Sequence, residues 1–455
     1  AAFSDRLLEA IGDCDTQTDG VLFHSENFQA LSVMQVRFRE RVRCVYIDPP
    51  YNSPATQILY KNDYLHSSWL ALMHDRLVLL RECLSDTGIL GVAIDDIEFH
   101  RLEALVRQCF GDDNYLANVA IMHNPKGRDQ GHIATAHEYT IIAARDSRTA
   151  VTYRLPLSDS ELTKKYARTD GNERYRELPL RRSGSGASRN DRPYMYYPFL
   201  YDEKGATLTV VPQDEYERIY VNDRFDDGFV DSLRRKYESK GLVFILPIRE
   251  DGSPGRWRWG YETSKAGCAQ GVLFAKTGPN PTVYQRDTAD ETFLPKSLWF
   301  GERYDASTKG TNLLRDVLGN ASFDYPKSVF AVEDMLTIGC DEAGTVLDCF
   351  AGSGTTGHAV INLNREDGGQ RKFILVEQAD YFDTVLLVRL KRITFSPEWK
   401  DGKPKRLATP EEAERSPRIM KVVRLESYED TLNNLELRRT EVQQSLLDSP
   451  QAQGA

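Results

Sequence analysis

The sequence predicts an α/β protein: a mostly parallel sheet with helices on its faces, split by an inserted middle domain and followed by a small C-terminal extension. Three observations predict it. Apolar β-branched runs alternate with helical periodicity through the first 150 residues. Between about 150 and 300, turn-formers, aromatics and arginines replace that rhythm, with no helical period beyond a few turns. Near residue 311 the alternation returns. The division that follows is 1–150, 151–300, 301–395 and 396–455.

The elements follow in order. Residues 42–47 form a short β-branched run ending in Asp48-Pro49-Pro50-Tyr51. Ser67 and Ser68 offer an N-cap for a helix in which Leu70, Met73, Leu77, Leu80 and Leu84 recur at three- and four-residue steps, and Gly88 stops it. Residues 89–94 are the next strand, and 98–110 an amphipathic helix closed by Gly111. Residues 118–122 and 139–144 are two further strands. In the middle, 181–189 is a flexible basic loop. Strands at 345–350 and 373–377 carry the last α/β part, and 428–447 is a helix in a basic-acidic tail.

Over 455 residues, 40% are hydrophobic and 28% charged, which excludes collagen, a disulfide mini-scaffold and wholesale disorder. No apolar run approaches the roughly 18–20 residues of a membrane span. The N-terminal Ala-Ala-Phe-Ser-Asp-Arg lacks the apolar core of a secretory signal, and the missing initiator Met reads as a trimmed chain or a fragment. Seven scattered cysteines without a C-x-x-C pair read as reduced cytosolic thiols. The net charge of −10 argues against a histone-like partner but not against nucleic acid, because phosphate answers to local basic surface.

Two strings carry chemistry. Asp348-Cys349-Phe350-Ala351-Gly352-Ser353-Gly354-Thr355-Thr356-Gly357 sits between a strand and a helix, with Glu377 at the end of the next strand. Glycines there permit a tight turn and close backbone approach, and the carboxylate suits ribose hydroxyls. Taken alone the pattern also fits a nicotinamide-dependent oxidoreductase, or a tight turn with no ligand. His358 stands where a phosphate-binding P-loop requires Lys. In Asp48-Pro49-Pro50-Tyr51, two prolines fix φ and remove two donors, so the loop presents carbonyl oxygens and one carboxylate in a stiff frame. Such a frame accepts hydrogen bonds from an exocyclic –NH2, and the Tyr51 ring offers a stacking surface. The alternative is a rigid turn with Tyr51 in the core.

Together these strings resemble the amino-methyltransferases of DNA, in the β-class order with the Asp-Pro-Pro-Tyr motif before Phe350-Ala-Gly352-Ser-Gly354. The resemblance extends to the modification subunits of type III restriction-modification systems. It rests on Ile47 to Ser53, Trp69-Leu with Met73 and Arg76, Ile94-Asp-Asp-Ile-Glu98 and Arg192-Pro-Tyr-Met-Tyr-Tyr-Pro198. It continues through Gly255-Arg-Trp-Arg-Trp-Gly260, Pro326-Lys327, Trp399-Lys-Asp-Gly402 and the string from Leu425 to Leu435.

The resemblance implies a Rossmann-like methyltransferase sheet split by a target-recognition domain, with S-adenosylmethionine as cofactor. Asp48, Pro49, Pro50 and Tyr51 would hold and stack a flipped-out adenine for methylation at N6. Phe350, Gly352 and Gly354 would cradle the cofactor, Asp348 would support the loop and Glu377 would bind the ribose. Asn312 and Lys327 would close over the methionine part. Cys44 and Cys349 read as core thiols.

The partners implied are double-stranded DNA carrying a short asymmetric site, a second copy of the chain and a restriction subunit, with no membrane. The setting is cytoplasmic and nucleoid-associated. Between Lys164 and Arg192 nine Lys/Arg face four acids, and Lys164, Lys165, Arg181, Arg182, Arg189 and Arg192 are the DNA-contacting candidates. Trp257 and Trp259 read as buried, with surface arginines beside them. His132 and His137 lack metal-ligand spacing, and Asp95-Asp96 reads as a strand-end turn, so no metal is expected. An orphan methyltransferase, a cytosine-N4 methyltransferase and a catalytically silent recognition module remain as alternatives.

Overall fold

The computed structural model describes residues 12–13, 16–52, 65–127, 132–171, 173–319 and 323–426. The expected helix at 428–447, and the string to Leu435 from residue 427 onward, lie outside the described residues. The chain divides into two compact units, one drawn from Ala1–Leu155 and Leu294–Ala455, the other from Pro156–Phe293.

The first unit is built on a nine-stranded sheet. Its strands are β1 (Gly20–His24), β2 (Val42–Ile47), β3 (Leu84–Ile94), β4 (Tyr115–Ile121), β5 (Glu138–Ala144), β6 (Leu298–Trp299), β7 (Thr345–Asp348), β8 (Lys372–Glu377) and β9 (Met420–Arg424). They lie in the order β6-β4-β5-β3-β2-β7-β8-β1-β9. Eight run parallel, and β5 alone is antiparallel, pairing β3 on one side and β4 on the other. The order reverses at β2 and β7: from β2 the chain moves to β3, while its other neighbour returns much later in the sequence. In such sheets ligands bind outside the carboxyl ends of the strands at this switch point.

Helices α1 (Asn27–Phe38), α2 (Leu65–Cys83), α3 (Phe99–Phe110), α4 (Leu313–Leu318), α5 (Val329–Gly339), α6 (Thr355–Asp367) and α7 (Leu387–Phe395) accompany the sheet. Every residue of β2 is buried, as expected for a strand covered on both faces. Trp69, Met73, Leu77 and Leu80 of α2 and Leu102, Val106 and Phe110 of α3 join it in one core cluster. Cys44 and Cys349 are buried there or beside it.

Several sequence expectations need correction. Ser67 and Ser68 lie inside the first turn of α2, not at its cap. Helix α2 ends at Cys83, and Leu84 already opens β3, so Gly88 stands within an irregular stretch of that strand and stops no helix. The core face of α2 begins at Trp69, with Leu70 only half-buried. Strands β1 and β9 and helix α1 are not among the expected elements.

The second unit packs small antiparallel sheets around aromatic side chains. Thr207–Val210, Phe199–Asp202 and Val243–Ile245 form one sheet, and Leu273–Lys276, Thr282–Thr288, Glu173–Pro179 and Arg168–Asp170 another. Tyr197, Phe199, Trp257 and Tyr261 are buried at its centre. The indole of Trp257 donates to the Tyr197 carbonyl at 2.7 Å, and the Tyr197 hydroxyl donates to Ser264 Oγ at 2.7 Å. Buried aromatics keep their polar tips paired in this way. The longest helix described in this unit, Asp227–Glu238 of 12 residues, is N-capped by Asp226 and runs about three turns. Contrary to expectation, 181–189 is not a free loop: Arg181 bridges Trp257, Ser188 bridges Gly255, and Ala187 is buried.

Candidate active site

Strand β2 delivers Asp48 to the switch point, and the loop after it is held from two sides. The Trp69 indole donates to the Pro50 carbonyl at 2.8 Å. Asn52, at a positive φ of 55°, donates to the fully buried carboxylate of Glu98 at 2.7 Å. One of the loop's carbonyls is therefore spent on structure, while Asp48 and Pro49 line the adjacent cavity.

Lys327 converges on the same point. Its ammonium lies 3.3 Å from Asp48 Oδ1 and 2.5 Å from Glu138 Oε2, over the Tyr51 ring at 4.5 Å, and it also meets the Tyr51 hydroxyl. The Tyr51 hydroxyl in turn donates to Glu138 at 3.2 Å. Burial pushes the Asp48 carboxyl above its ordinary range, and the Lys327 charge draws it part of the way back. Burial acts on Glu138 too, but Lys327 and His123 outweigh it and hold that carboxyl below its usual range. Burial disfavours the Lys327 cation, yet Asp48 and Glu138 together keep it more basic than usual. A buried ion pair persists when the partners and hydrogen bonds are this complete.

Lys327 was expected to close over the methionine part of a cofactor; here it is engaged with the Asp48 loop. Glu138 was not singled out in the sequence. It opens β5, and because that strand is antiparallel its first residue lies at the sheet edge where the other strands end.

The glycine loop follows β7. Asp348 accepts from the Phe350 N–H at 2.9 Å and from Thr356 Oγ1 at 2.5 Å, tying the loop to the first turn of α6. Burial pushes its carboxyl up to about 7, against these bonds. Gly352 and Gly354 have φ of +52° and +82°, where side chains are strained. Glu377, at the end of β8, accepts from the Gly352 N–H at 2.9 Å. Beneath the loop lies Arg389 of α7, fully buried. It donates to Ser353 Oγ and Thr355 Oγ1, each at 2.8 Å, and burial lowers its pKa to about 9. Nothing in the sequence marks this arginine, because its partners lie on a distant segment of the chain.

The two loops share one cavity of about 850 Å³. Its walls include Asp48, Pro49, Pro50, Tyr51, Glu138 and Lys327 together with Asp348, Phe350, Gly352 and Glu377. Asn312 departs from expectation. It is exposed, while its neighbour Thr311 lines the cavity.

The expected DNA-contacting residues divide. Arg189 is clamped by Asp227 at 2.5 and 3.0 Å and lies over Phe225 at 4.2 Å. Arg181 reaches Glu250 at 3.4 Å. Arg192, Lys164 and Lys165 are exposed, and Arg182 is half-buried. His137 bonds Tyr139 at 2.9 Å, and Asp95 Oδ1 accepts from the Ile97 N–H at 3.0 Å, as in a strand-end turn. Among the described residues, no three His, Cys, Asp or Glu side chains are grouped to hold a metal.

The mostly parallel sheet brings the Asp48 loop and the glycine loop onto one cavity, an arrangement with acceptors for an amine on one side and a close-approach backbone on the other. The DNA methylase family model spanning N6 and N4 enzymes matches residues 42–385, and the chain belongs to that family. It is 28% identical over 395 residues to the EcoPI Mod subunit, a type III restriction-modification enzyme of Escherichia phage P1, covering 79% of this chain and 58% of that protein. It is likewise 28% identical over 371 residues to the type II methyltransferase M.KpnI of Klebsiella pneumoniae, covering 79% of this chain and 81% of that one. Of the solved structures, a putative DNA modification methylase of Thermus thermophilus, complexed with S-adenosyl-L-methionine, aligns with a TM-score of 0.38 at 12% identity, over 90% of this chain and 100% of that one. The chain spans 58% or less of the length of the type III Mod subunits it matches.

Proposed function

We propose that the protein is a site-specific DNA methyltransferase that modifies adenine at N6 with S-adenosylmethionine, as the modification and recognition subunit of a type III-like system. The observation that carries this reading is the shared cavity, which sets Asp48 and the glycine loop on one space of the size of a ligand pocket. The residues fit the cofactor. Gly352 and Gly354 leave the loop backbone open to close approach, and a Cβ on either would meet Phe323 or Leu386 at 3.3 Å. Glu377 offers the carboxylate for vicinal hydroxyls, and Phe350 an apolar wall.

When bound, S-adenosylmethionine supplies an electrophilic methyl group on a sulfonium. The chain's own residues do the rest. Asp48 and the Pro49 carbonyl accept the two N–H bonds of the target amine and turn its lone pair away from the ring. Tyr51 supports the base face. A base inside a duplex cannot reach the cavity, so it must be extruded. Fixing both reactants at one site supplies a large part of the rate. The charges of Asp48, Glu138 and Lys327 sum to −1, which suits a sulfonium donor and an amine that gains positive charge.

Pairing of two chains, partnership with a restriction subunit and a cytoplasmic, nucleoid-associated setting belong to the same proposal, supported by the relatives named as type III Mod subunits. A second reading, a type II methyltransferase acting without a restriction subunit, is favoured by the fuller coverage of M.KpnI. Asp in place of Ser before Pro-Pro-Tyr favours adenine over cytosine by family analogy. Mass spectrometry of nucleosides from DNA treated with enzyme and deuterated cofactor tests the base: labelled N6-methyladenine is expected, and labelled N4-methylcytosine would overturn the adenine assignment.

A further inference from the structure

The arginines of the second unit fall into two sets. Arg181 and Arg189 are spent on Glu250 and Asp227. Arg182, Arg192 and Arg256 are brought together by the backbone. The Arg182 N–H donates to the Arg256 carbonyl at 2.9 Å, next to the bridge between Arg181 and Trp257. Arg192 precedes the turn Pro193–Met195. The Met195 sulfur lies 3.3 Å from the Arg256 guanidinium, and the Met195 carbonyl accepts from the Trp257 N–H at 2.8 Å.

Among the described residues, none of these three makes an ion pair with a carboxylate, in contrast to Arg181 and Arg189. Asp191 stands nearby and its charge favours the Arg256 cation, while its carboxylate accepts from the Ser188 N–H at 2.9 Å; Arg256 itself donates to the Gly186 and Trp257 carbonyls at 2.6 and 3.2 Å. The Nε of Arg182 is buried without a hydrogen-bond partner. Burial, then the positive charges of Arg182 and Arg192, make the Arg256 cation less favourable than usual, which agrees with their closeness. Such an arrangement costs free energy as it stands, because a buried donor is unsatisfied and like charges crowd. An anion among the three offsets the crowding of like charge. Guanidinium forks match the paired oxygens of a phosphate in particular.

We propose that Arg182, Arg192 and Arg256 form a site for one phosphodiester group of the nucleic-acid backbone, through which the second unit grips DNA. This rests on the methyltransferase reading and deepens it. The contact positions the duplex and carries no sequence information of its own. Two of the three arginines lie in the basic stretch legible in the sequence. Arg256 joins them only through the fold.

The test is fluorescence anisotropy of a labelled duplex of about 30 base pairs against the full chain, titrated from about 50 to 300 mM KCl. Relative to wild type, Arg192→Ala and Arg256→Gln should each weaken binding several-fold and lower the salt slope by up to about 0.9, the value of one phosphate contact. Arg181→Ala should leave the slope unchanged. Binding of S-adenosylmethionine, which the first unit would hold, should be the same in every variant, and an unchanged near-ultraviolet circular dichroism spectrum, sensitive to the aromatic core of the second unit, reports that unit's folding. Equal slopes in wild type, Arg192→Ala and Arg256→Gln, with the wild type binding DNA, would overturn this site and leave the methyltransferase reading standing. No DNA binding by a wild type that still binds the cofactor would overturn both. Inorganic phosphate at matched ionic strength that bound the wild type but not the variants, with equal DNA slopes, would mark a free-anion site and overturn the assignment to DNA.

Discussion

The two units place most of their functional charge differently. In the first, the ionised groups around the cavity are sunk beside the sheet and answered from distant segments. Lys327 is answered by Asp48 and Glu138, and Arg389 by Ser353, Thr355 and His358. In the second, the core is aromatic, and apart from buried Glu215, which Lys236 and the Tyr237 hydroxyl hold, the ion pairs Arg168–Glu177, Arg176–Asp287 and Arg286–Asp170 lie towards solvent. Buried charges are tolerated only in near-complete hydrogen-bonded geometry, so they mark where atoms must be fixed for chemistry. Rim charges contribute little to stability and remain available to a partner.

The contrast breaks most visibly at Asp48. Asp48→Ala should reduce methyl transfer by about a thousand-fold, the scale of losing an oriented polar partner of the reacting group. The dissociation constant of the cofactor, measured by calorimetry, should stay nearly unchanged. Joint loss of binding and transfer would contradict the division between an amine-holding loop and a glycine loop.

Arg389→Ala comes next. It removes a buried cation together with its hydrogen bonds beneath the glycine loop, and should cost about 3 kcal/mol in denaturant unfolding. A cost near zero would place Arg389 with the surface arginines and dissolve the contrast.

Lys327→Met sharpens the comparison through pH. Lys327 favours the ionised forms of Asp48 and Glu138, so its removal raises both carboxyls. Protonation of Asp48 then begins at higher pH, and the acid limb of the rate profile should move upward by about one unit. An unmoved limb would separate Lys327 from the chemistry. The smallest effect belongs to the second unit: Arg168→Ala, at a pair more than half open on the arginine side, should change stability by less than about 1 kcal/mol.

The parts of the site most legible in the sequence are those whose chemistry is contiguous, with Glu377 reached through its place at the end of the next strand and Lys327 through the family resemblance. Two prolines and a carboxylate in a row, or two glycines at positive φ before a helix, announce a backbone requirement in a single string. Glu138 and Arg389 could not be found that way. Glu138 matters because β5 runs backwards, and strand direction is not written in a short apolar run. Arg389 sits in an amphipathic helix, where an arginine ordinarily faces water. Leu84 illustrates the limit of periodicity. It continues the spacing of α2 but serves the next strand, because an apolar residue satisfies either pattern. In the second unit the pairing of Arg189 with Asp227 spans 38 residues, and the sequence alone could not separate engaged arginines from unengaged ones.

The most direct test is methyl transfer from labelled S-adenosylmethionine to bacterial genomic DNA lacking its own methylation, followed by long-read modification mapping. The proposed function predicts N6-methyladenine in one strand of a single asymmetric motif. No incorporation by a chain that binds the cofactor would contradict the claim that the Asp48 loop and the glycine loop form one working methyltransferase site.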